Sequence, residues 1–98
     1  MADPLVPDDF RALEAPLRLE VGSGSSVAAL ELAVESIATL PPHRFRAAPF
    51  SLVLRGPRAP LLAQATYSVR HPGLGMVELF LVPIGQDAAC TRYEVVFN

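Results

Sequence analysis

Residues 65–98 read ATYSVRHPGLGMVELFLVPIGQDAACTRYEVVFN, and this stretch decides the class of fold. It contains three short apolar runs, at residues 66–71, 76–82 and 92–97, and the turn sequences PGLG and PIGQD separate them. Side chains that alternate at period two between glycine and proline breaks are typical of antiparallel strands joined by tight loops. The stretch therefore predicts three consecutive antiparallel strands.

The run at 76–82 is unusual because it is nearly apolar on both faces. Its apolar side chains, taken over the two faces, are Val77, Leu79, Leu81, Phe80 and Val82. Only Glu78 interrupts the second face, which it shares with Phe80 and Val82. A strand with two apolar faces is expected to be central and covered on both sides. We expect barrel closure, the N-terminal helix or another subunit to provide this cover.

The N-terminal half contributes a short helix and two strands. Residues 7–14 read PDDFRALE, which favours a helix because proline suits the first helical position and aspartates suit the positive end of the helix dipole. Residues 17–21 alternate strictly between apolar and charged side chains, as a half-buried strand does, and residues 50–55 form the next strand, with Phe50, Leu52 and Leu54 on one face.

Residues 27–40 are ambiguous between strand and helix. Their richness in Ala, Leu and Glu favours a helix by intrinsic propensity, whereas Leu30, Leu32 and Val34 alternate with acidic and small residues at strand period. We favour a strand that pairs with residues 17–21 and keep the helix as the alternative.

Six strands with no helix long enough for a parallel crossover define the fold class. The sequence predicts one mainly β domain over residues 1–98, with a short helix at 7–14 and antiparallel strands over 17–98. A small antiparallel barrel and a two-layer sandwich of about six strands both satisfy this pattern.

Composition excludes several classes of function. Apolar residues make up 51% of the chain and charged residues 18%, which argues against disorder and mildly favours a self-association or partner surface. The net charge is −2 and the pI is about 5.5, so nucleic-acid binding is not expected. No signal peptide and no apolar run of membrane-spanning length is visible, and we therefore expect a soluble, cytoplasmic protein that leaves the cell only as part of an assembly.

Charge is divided between the two halves of the chain. Residues 1–43 carry a net charge of −5 and residues 44–98 a net charge of +3. Every basic side chain is an arginine, and four of these arginines lie in or beside loops: Arg44, Arg46, Arg55 and Arg58. They could bind a carboxylate or phosphate through bidentate hydrogen bonds, but we favour their pairing with the acidic first half within one fold.

Reactive side chains are sparse. Cys90 could act as a nucleophile with His71 or His43, yet nothing beside it resembles a nucleophile turn, and the two histidines lack the spacing of a metal site. Glu78 could acquire a raised pKa if it were buried, but a cross-strand pair with Arg70 or Arg92 is the simpler expectation. We predict no catalytic residue, no metal and no cofactor, and hence no enzyme.

Several short motifs resemble those of an uncharacterised bacterial family of stand-alone domains of about one hundred residues. The motifs are FSLVLRGP at 50–57, TY at 66–67, HP-x-LG at 71–75, ELFLVPIG at 78–85 and RYE-x-VFN at 92–98. The family is classed only as a domain of unknown function, so the resemblance transfers no site residues. Some members are encoded near proteins similar to phage tail collar or tail-fibre proteins, which implies an accessory role in a tail-like or adhesin-like assembly.

Two hypotheses for function follow. The first is a non-enzymatic interaction module that self-associates or docks a co-encoded protein through an apolar strand edge or sheet face, with an edge provided by the final strand. Its predicted interface residues are Val77, Leu79, Phe80, Leu81, Tyr93, Val95 and Phe97. The alternative is a small-molecule binder with an apolar cavity, gated by Arg55 or Arg58. That cavity would be lined by Phe50, Leu79, Phe80 and Tyr93.

Overall fold

The structure, a computed structural model, describes residues 5–11, 13, 15–21, 28–42 and 49–97. Its strands are β1 (Leu17–Val21), β2 (Ala28–Thr39), β3 (Phe50–Pro57), β4 (Ala65–His71), β5 (Gly75–Gln86) and β6 (Cys90–Phe97). All neighbouring strands are antiparallel, and they form a closed barrel in the order β1-β2-β3-β6-β5-β4. The mainly β prediction is confirmed, and the barrel is the architecture that forms.

Residues 27–40, ambiguous in sequence, contain the strand β2. Period-two alternation prevails over helix propensity here because Leu30 and Leu32 are both buried in the barrel, where an alternating strand can place them. The first part of β2 pairs with β1, from Ala28 to Leu32, and the later part pairs with β3. Within the β2–β3 pairing a β-bulge lies between Val34 and Ser36. It changes which residues of β2 face the inside of the barrel.

Strand β5 repeats the plan of β2. It is also twelve residues long, pairs with β4 over its first part and with β6 over its second, and has a bulge between Pro83 and Gly85. The chain is thus two three-stranded meanders, β1-β2-β3 and β4-β5-β6. They are joined along the whole of β3 and β6, whereas one pair, Arg18 with Arg70, joins β1 to β4 across the described residues.

The predicted N-terminal helix is shorter than expected. It is a 3-10 helix over Pro7–Phe10, and Arg11 already has an extended backbone with φ −90° and ψ 143°. The prediction of a helix over 7–14 is therefore wrong at Arg11, and its positions 12 and 14 lie outside the described residues. The carbonyl oxygen of Asp9, which an α-helix would pair within itself, instead faces Nε2 of His71 at 2.5 Å.

The barrel interior is filled by side chains. The largest fully buried ones are Tyr93, Phe10, Phe50, Leu17, Leu32, Leu52, Leu54, Leu79, Leu81, Val69, Val95 and Thr91. At one end of the barrel Phe10 packs with Phe50 and Phe97, whose rings stack at 4.3 Å. Towards the other end, the N–H of Leu62 donates to the hydroxyl of Tyr93 at 3.0 Å, which fastens the connection after β3 to β6.

Candidate functional site

Most of the predicted interface residues lie inside the barrel. Four of the seven are buried, with at most 2% of their surface exposed: Leu79, Leu81, Tyr93 and Val95. Val77 and Phe97 are half-buried and pack against the core. Phe80 alone among the seven is exposed, at 47%. The predicted set mixes two faces, because alternation sends odd-numbered residues of β5 inward and Phe80 outward.

The predicted edge at the final strand is largely closed. Strand β6 pairs with β3 along its whole length and with β5 from Thr91 to Glu94. Barrel closure thus places most of this strand between two others, and among its described residues 95–97 keep one side without a β5 partner.

The outward side of β3, β6 and β5 carries an apolar surface instead. Val53 pairs with Glu94, and Glu94 pairs with Val82, so these three side chains form one row across three strands. Phe80 and Val96 each lie two residues beyond that row, on the same side of their strands. We call these five residues the outer patch. Phe80 and Val96 are its most exposed members, at 47% and 42%.

A charged row borders the outer patch. Arg55 on β3 and Arg92 on β6 are direct cross-strand partners. Each lies two residues along its strand from the pair Val53–Glu94, on the same outer face. The guanidinium of Arg92 donates to both carboxylate oxygens of Glu35, at 2.7 and 3.1 Å, and to Asp87 at 2.9 Å. Within the described part of the chain, neither Arg55 nor Glu94 forms a hydrogen bond or ion pair through its side chain.

The electrostatics of this row follow from its hydrogen bonds. The pKa of Asp87 lies well below its usual value, first because the N–H of Ala89 donates to it and then because Arg92 and Cys90 N–H do. The hydrogen bond from Arg92 lowers the pKa of Glu35, and the two carboxylates raise that of Arg92. All three groups are therefore ionised at neutral pH.

Glu78 does not form the predicted pair with an arginine. It accepts a hydrogen bond from the hydroxyl of Ser68, its cross-strand partner, at 3.0 Å. Arg92 is occupied by Glu35 and Asp87, and Arg70 pairs in register with Met76. The prediction was wrong because the register of β4 and β5 places a serine opposite this glutamate.

The loop arginines do not converge on one ligand in the described structure. Arg58 donates through Nε to the carbonyl oxygen of Asp87 at 3.0 Å, which ties the connection after β3 to the β5–β6 hairpin. Arg55 lies on the outside of the barrel. Arg44 and Arg46 lie outside the described residues. One ion pair among the described residues, Glu35 with Arg92, joins the acidic first half of the chain to the basic second half.

His71 is a buried structural residue. Its Nδ1 accepts hydrogen bonds from the N–H groups of Gly73 and Leu74, at 2.9 and 3.1 Å. Nε2 therefore carries the proton and donates to the carbonyl oxygen of Asp9. The imidazole fastens the β4–β5 turn to the N-terminal 3-10 helix.

Cys90 and His71 lie in different parts of the barrel and do not contact each other. Cys90 is 7% exposed, and its thiol lies 3.9 Å from a carboxylate oxygen of Asp87. His71 contacts Asp9 and Phe10 at the opposite end of the described fold, and His43 lies outside the described residues.

Among the described side chains, no group of three His, Cys, Asp or Glu is placed to hold a metal ion. The described residues also contain no helix that is long and apolar enough to cross a membrane.

The cavity predicted for a small molecule does not form with its expected lining. Phe50, Leu79 and Tyr93 are buried within the continuous core, whereas Phe80 faces outward. Three surface clefts have volumes of about 670, 440 and 220 Å³, and none of them is lined by Phe50, Leu79, Phe80 or Tyr93. The first cleft is lined by the core residue Phe10 and by Val34 and Ile37, which pack against the core.

The predicted interface contained one member of the outer patch, Phe80, and missed the other four: Val53, Val82, Glu94 and Val96. Period-two alternation was a sufficient signal, since each valine follows an inward residue on its strand and should face outward. An outward valine on three neighbouring strands is the pattern that would have identified the outer patch. The Glu35–Arg92 pair had no such signal, because 57 residues separate its members.

The fold and the outer patch together define a small six-stranded antiparallel barrel with a filled interior and an apolar outer face. The chain belongs to the family described as domain of unknown function DUF6916, whose model matches residues 5–97. No curated protein and no solved structure matches the chain.

Proposed function

We propose that this domain is a non-enzymatic interaction module that binds a protein, either itself or a partner, through the outer patch. The observation that carries the proposal is the exposure of Phe80 and Val96 on neighbouring strands beside half-buried Val53 and Val82. Contiguous apolar surface on a small domain is typical of protein contact sites. The filled barrel interior supports a surface site over an internal one.

The barrel also explains why the contact is a face. Strand β6 is paired on both sides from Thr91 to Glu94, and the three residues beyond, 95–97, are paired with β3 alone, which is a short edge for strand addition. Burial of an aromatic ring such as that of Phe80 contributes strongly to binding when it fills a pocket on the partner. We therefore expect Phe80 to dominate the free energy of association.

The experiment compares Phe80→Glu with Leu74→Glu as a matched control. Leu74 is exposed to a similar extent, 49%, but lies on the β4–β5 turn outside the outer patch. Sedimentation velocity of the purified protein and affinity capture from its own organism should both be tested with wild type and the two variants. The proposal expects Phe80→Glu to abolish an association that Leu74→Glu preserves. Equal behaviour of all three proteins in both measurements would contradict it.

The biological setting is a further part of the proposal. The family resemblance supports a bacterial protein that serves as an accessory of a phage-tail-like or adhesin-like assembly, and we propose that it is cytoplasmic and leaves the cell only as part of that assembly. In that setting the outer patch would dock a co-encoded component or a second copy. The genes beside this one test the setting directly: tail or adhesin components next to it in several genomes would support it, and unrelated neighbours throughout would contradict it.

A further inference from the structure

We propose that the occupant of the outer patch is a second copy of this chain, related by a two-fold axis, with Glu94 of each copy paired to Arg55 of the other. The inference rests on the proposed function and makes it specific. Its support is the placement of two charged residues, Glu94 in the outer patch and Arg55 at its border.

The first step concerns Glu94. This residue is half-buried in the row between Val53 and Val82, and its carboxylate forms no ion pair with a described residue. Covering the outer patch would remove this charge from water, which is strongly unfavourable unless a cation meets it. A partner surface therefore has to supply a positive group opposite Glu94.

The second step identifies that group. Arg55 lies on β3 two residues from Val53, the cross-strand partner of Glu94. It is exposed and makes no side-chain hydrogen bond to a described residue. Its cross-strand partner is Arg92, and like charges in direct opposition destabilise a sheet. Glu35 and Asp87 already occupy the guanidinium of Arg92, although the charge of Arg55 also acts on Glu35. The guanidinium of Arg55 forms no hydrogen bond within the described structure and can therefore donate to a carboxylate of a partner.

The third step is symmetry. A two-fold axis between two copies makes every contact twice, so residue i of one copy meets residue j of the other and the reverse. The outer patch and its border provide both an acid and a base that lack a partner among the described residues, with apolar residues beside them. The face is thus complementary in charge to itself, and a second copy satisfies Glu94 and Arg55 at once.

The experiment uses the single variants Glu94→Arg and Arg55→Glu. A dimer of Glu94→Arg would bring two arginines together at each of these contacts, and a dimer of Arg55→Glu would bring two glutamates together there. Each variant alone should therefore dimerise at least about tenfold more weakly than wild type, since like-charge contacts across an interface are strongly unfavourable. An equimolar mixture should form a heterodimer more tightly than either variant forms a homodimer. In the heterodimer both contacts join opposite charges, because each brings an arginine of the Glu94→Arg chain against a glutamate of the Arg55→Glu chain.

Sedimentation velocity of each variant and of the mixture measures the outcome, and thermal unfolding of each variant checks that the barrel is intact. Recovery of the dimer in the mixture alone supports the inference. A wild-type protein that stays monomeric at every concentration overturns the inference, yet leaves the proposed function standing if Phe80→Glu still abolishes capture of a partner. Dimers that respond to Phe80→Glu but not to either charge variant overturn the Glu94–Arg55 pairing alone.

Discussion

Glu35 forms an ion pair with Arg92 across the strand that lies between them. The two residues lie on β2 and β6, which are separated by β3, and their side chains make two hydrogen bonds of 2.7 and 3.1 Å. The bulge between Val34 and Ser36 contains Glu35 and brings its exposed carboxylate over the outer face of the barrel. Asp87 completes the contact from the β5–β6 turn, so one guanidinium links three parts of the sheet.

The stability of the barrel should depend on the ionisation of Asp87. Its pKa is lower in the folded protein than its ordinary value of 3.8, so the folded state binds a proton less readily than the unfolded state. The stabilising contribution is complete above the ordinary pKa and is lost as the pH falls through the folded value. Urea unfolding should therefore show that Asp87→Asn is less stable than wild type at neutral pH, with a difference that shrinks below about pH 4.

Asparagine is a suitable replacement because its side-chain oxygen can still accept the N–H groups of Ala89 and Cys90. The matched control is Glu20→Gln, which removes a carboxylate outside the charged row. A difference between wild type and Asp87→Asn that stays constant with pH would contradict the assignment.

Gly56 should tolerate no side chain. It is buried on β3, and a Cβ atom there would lie 2.6 Å from Cδ2 of Leu32, which is itself fully buried. Gly56→Ala should lower the free energy of unfolding by about 1–3 kcal/mol, as overpacking of a filled core does. Chemical denaturation measures this loss.

Gly85 is the matched control for that substitution. It also lies on a strand, β5, but a Cβ atom there would meet nothing within 4 Å. Gly85→Ala should change the stability little. Equal losses for the two variants would show that the close approach of Leu32 to β3 is not what restricts Gly56.

His71 should contribute to the stability of the barrel. His71→Phe keeps a ring against Phe10 but removes the acceptor for two backbone N–H groups, so we expect a loss of about 2 kcal/mol. His71→Asn should lose less, because an asparagine side chain can accept the N–H groups of the turn. Thermal unfolding of both variants tests the order, and a phenylalanine variant as stable as wild type would contradict it.

The sequence predicted the strands well and the contact surface poorly. Alternation in β2 located Leu30 and Leu32 correctly, but the bulge at Glu35 changes the phase and allows Ile37 to pack on the core. A bulge depends on pairing with another strand, so local pattern could not reveal it. For the same reason, the pattern of single strands left the barrel and the sandwich as alternatives and did not show that β3 and β5 flank β6.

The run at 76–82, which is apolar on both faces, shows both the success of the strand prediction and the failure of the surface prediction. Its inward residues were expected to be buried, and Leu79 and Leu81 are. Its second face was expected to be covered, and in the single chain Phe80 is exposed while Val82 is half-buried. The apolar second face is the sequence feature that the outer patch explains.

Amide NMR spectra over a dilution series test the central claim most directly. If the outer patch is the contact surface of the domain, the resonances that shift with concentration should belong to β3, β5 and β6 around Phe80 and Val96, and Phe80→Glu should abolish the shifts. Shifts confined to another surface, such as the cleft beside Ile37 on β2, would contradict the account.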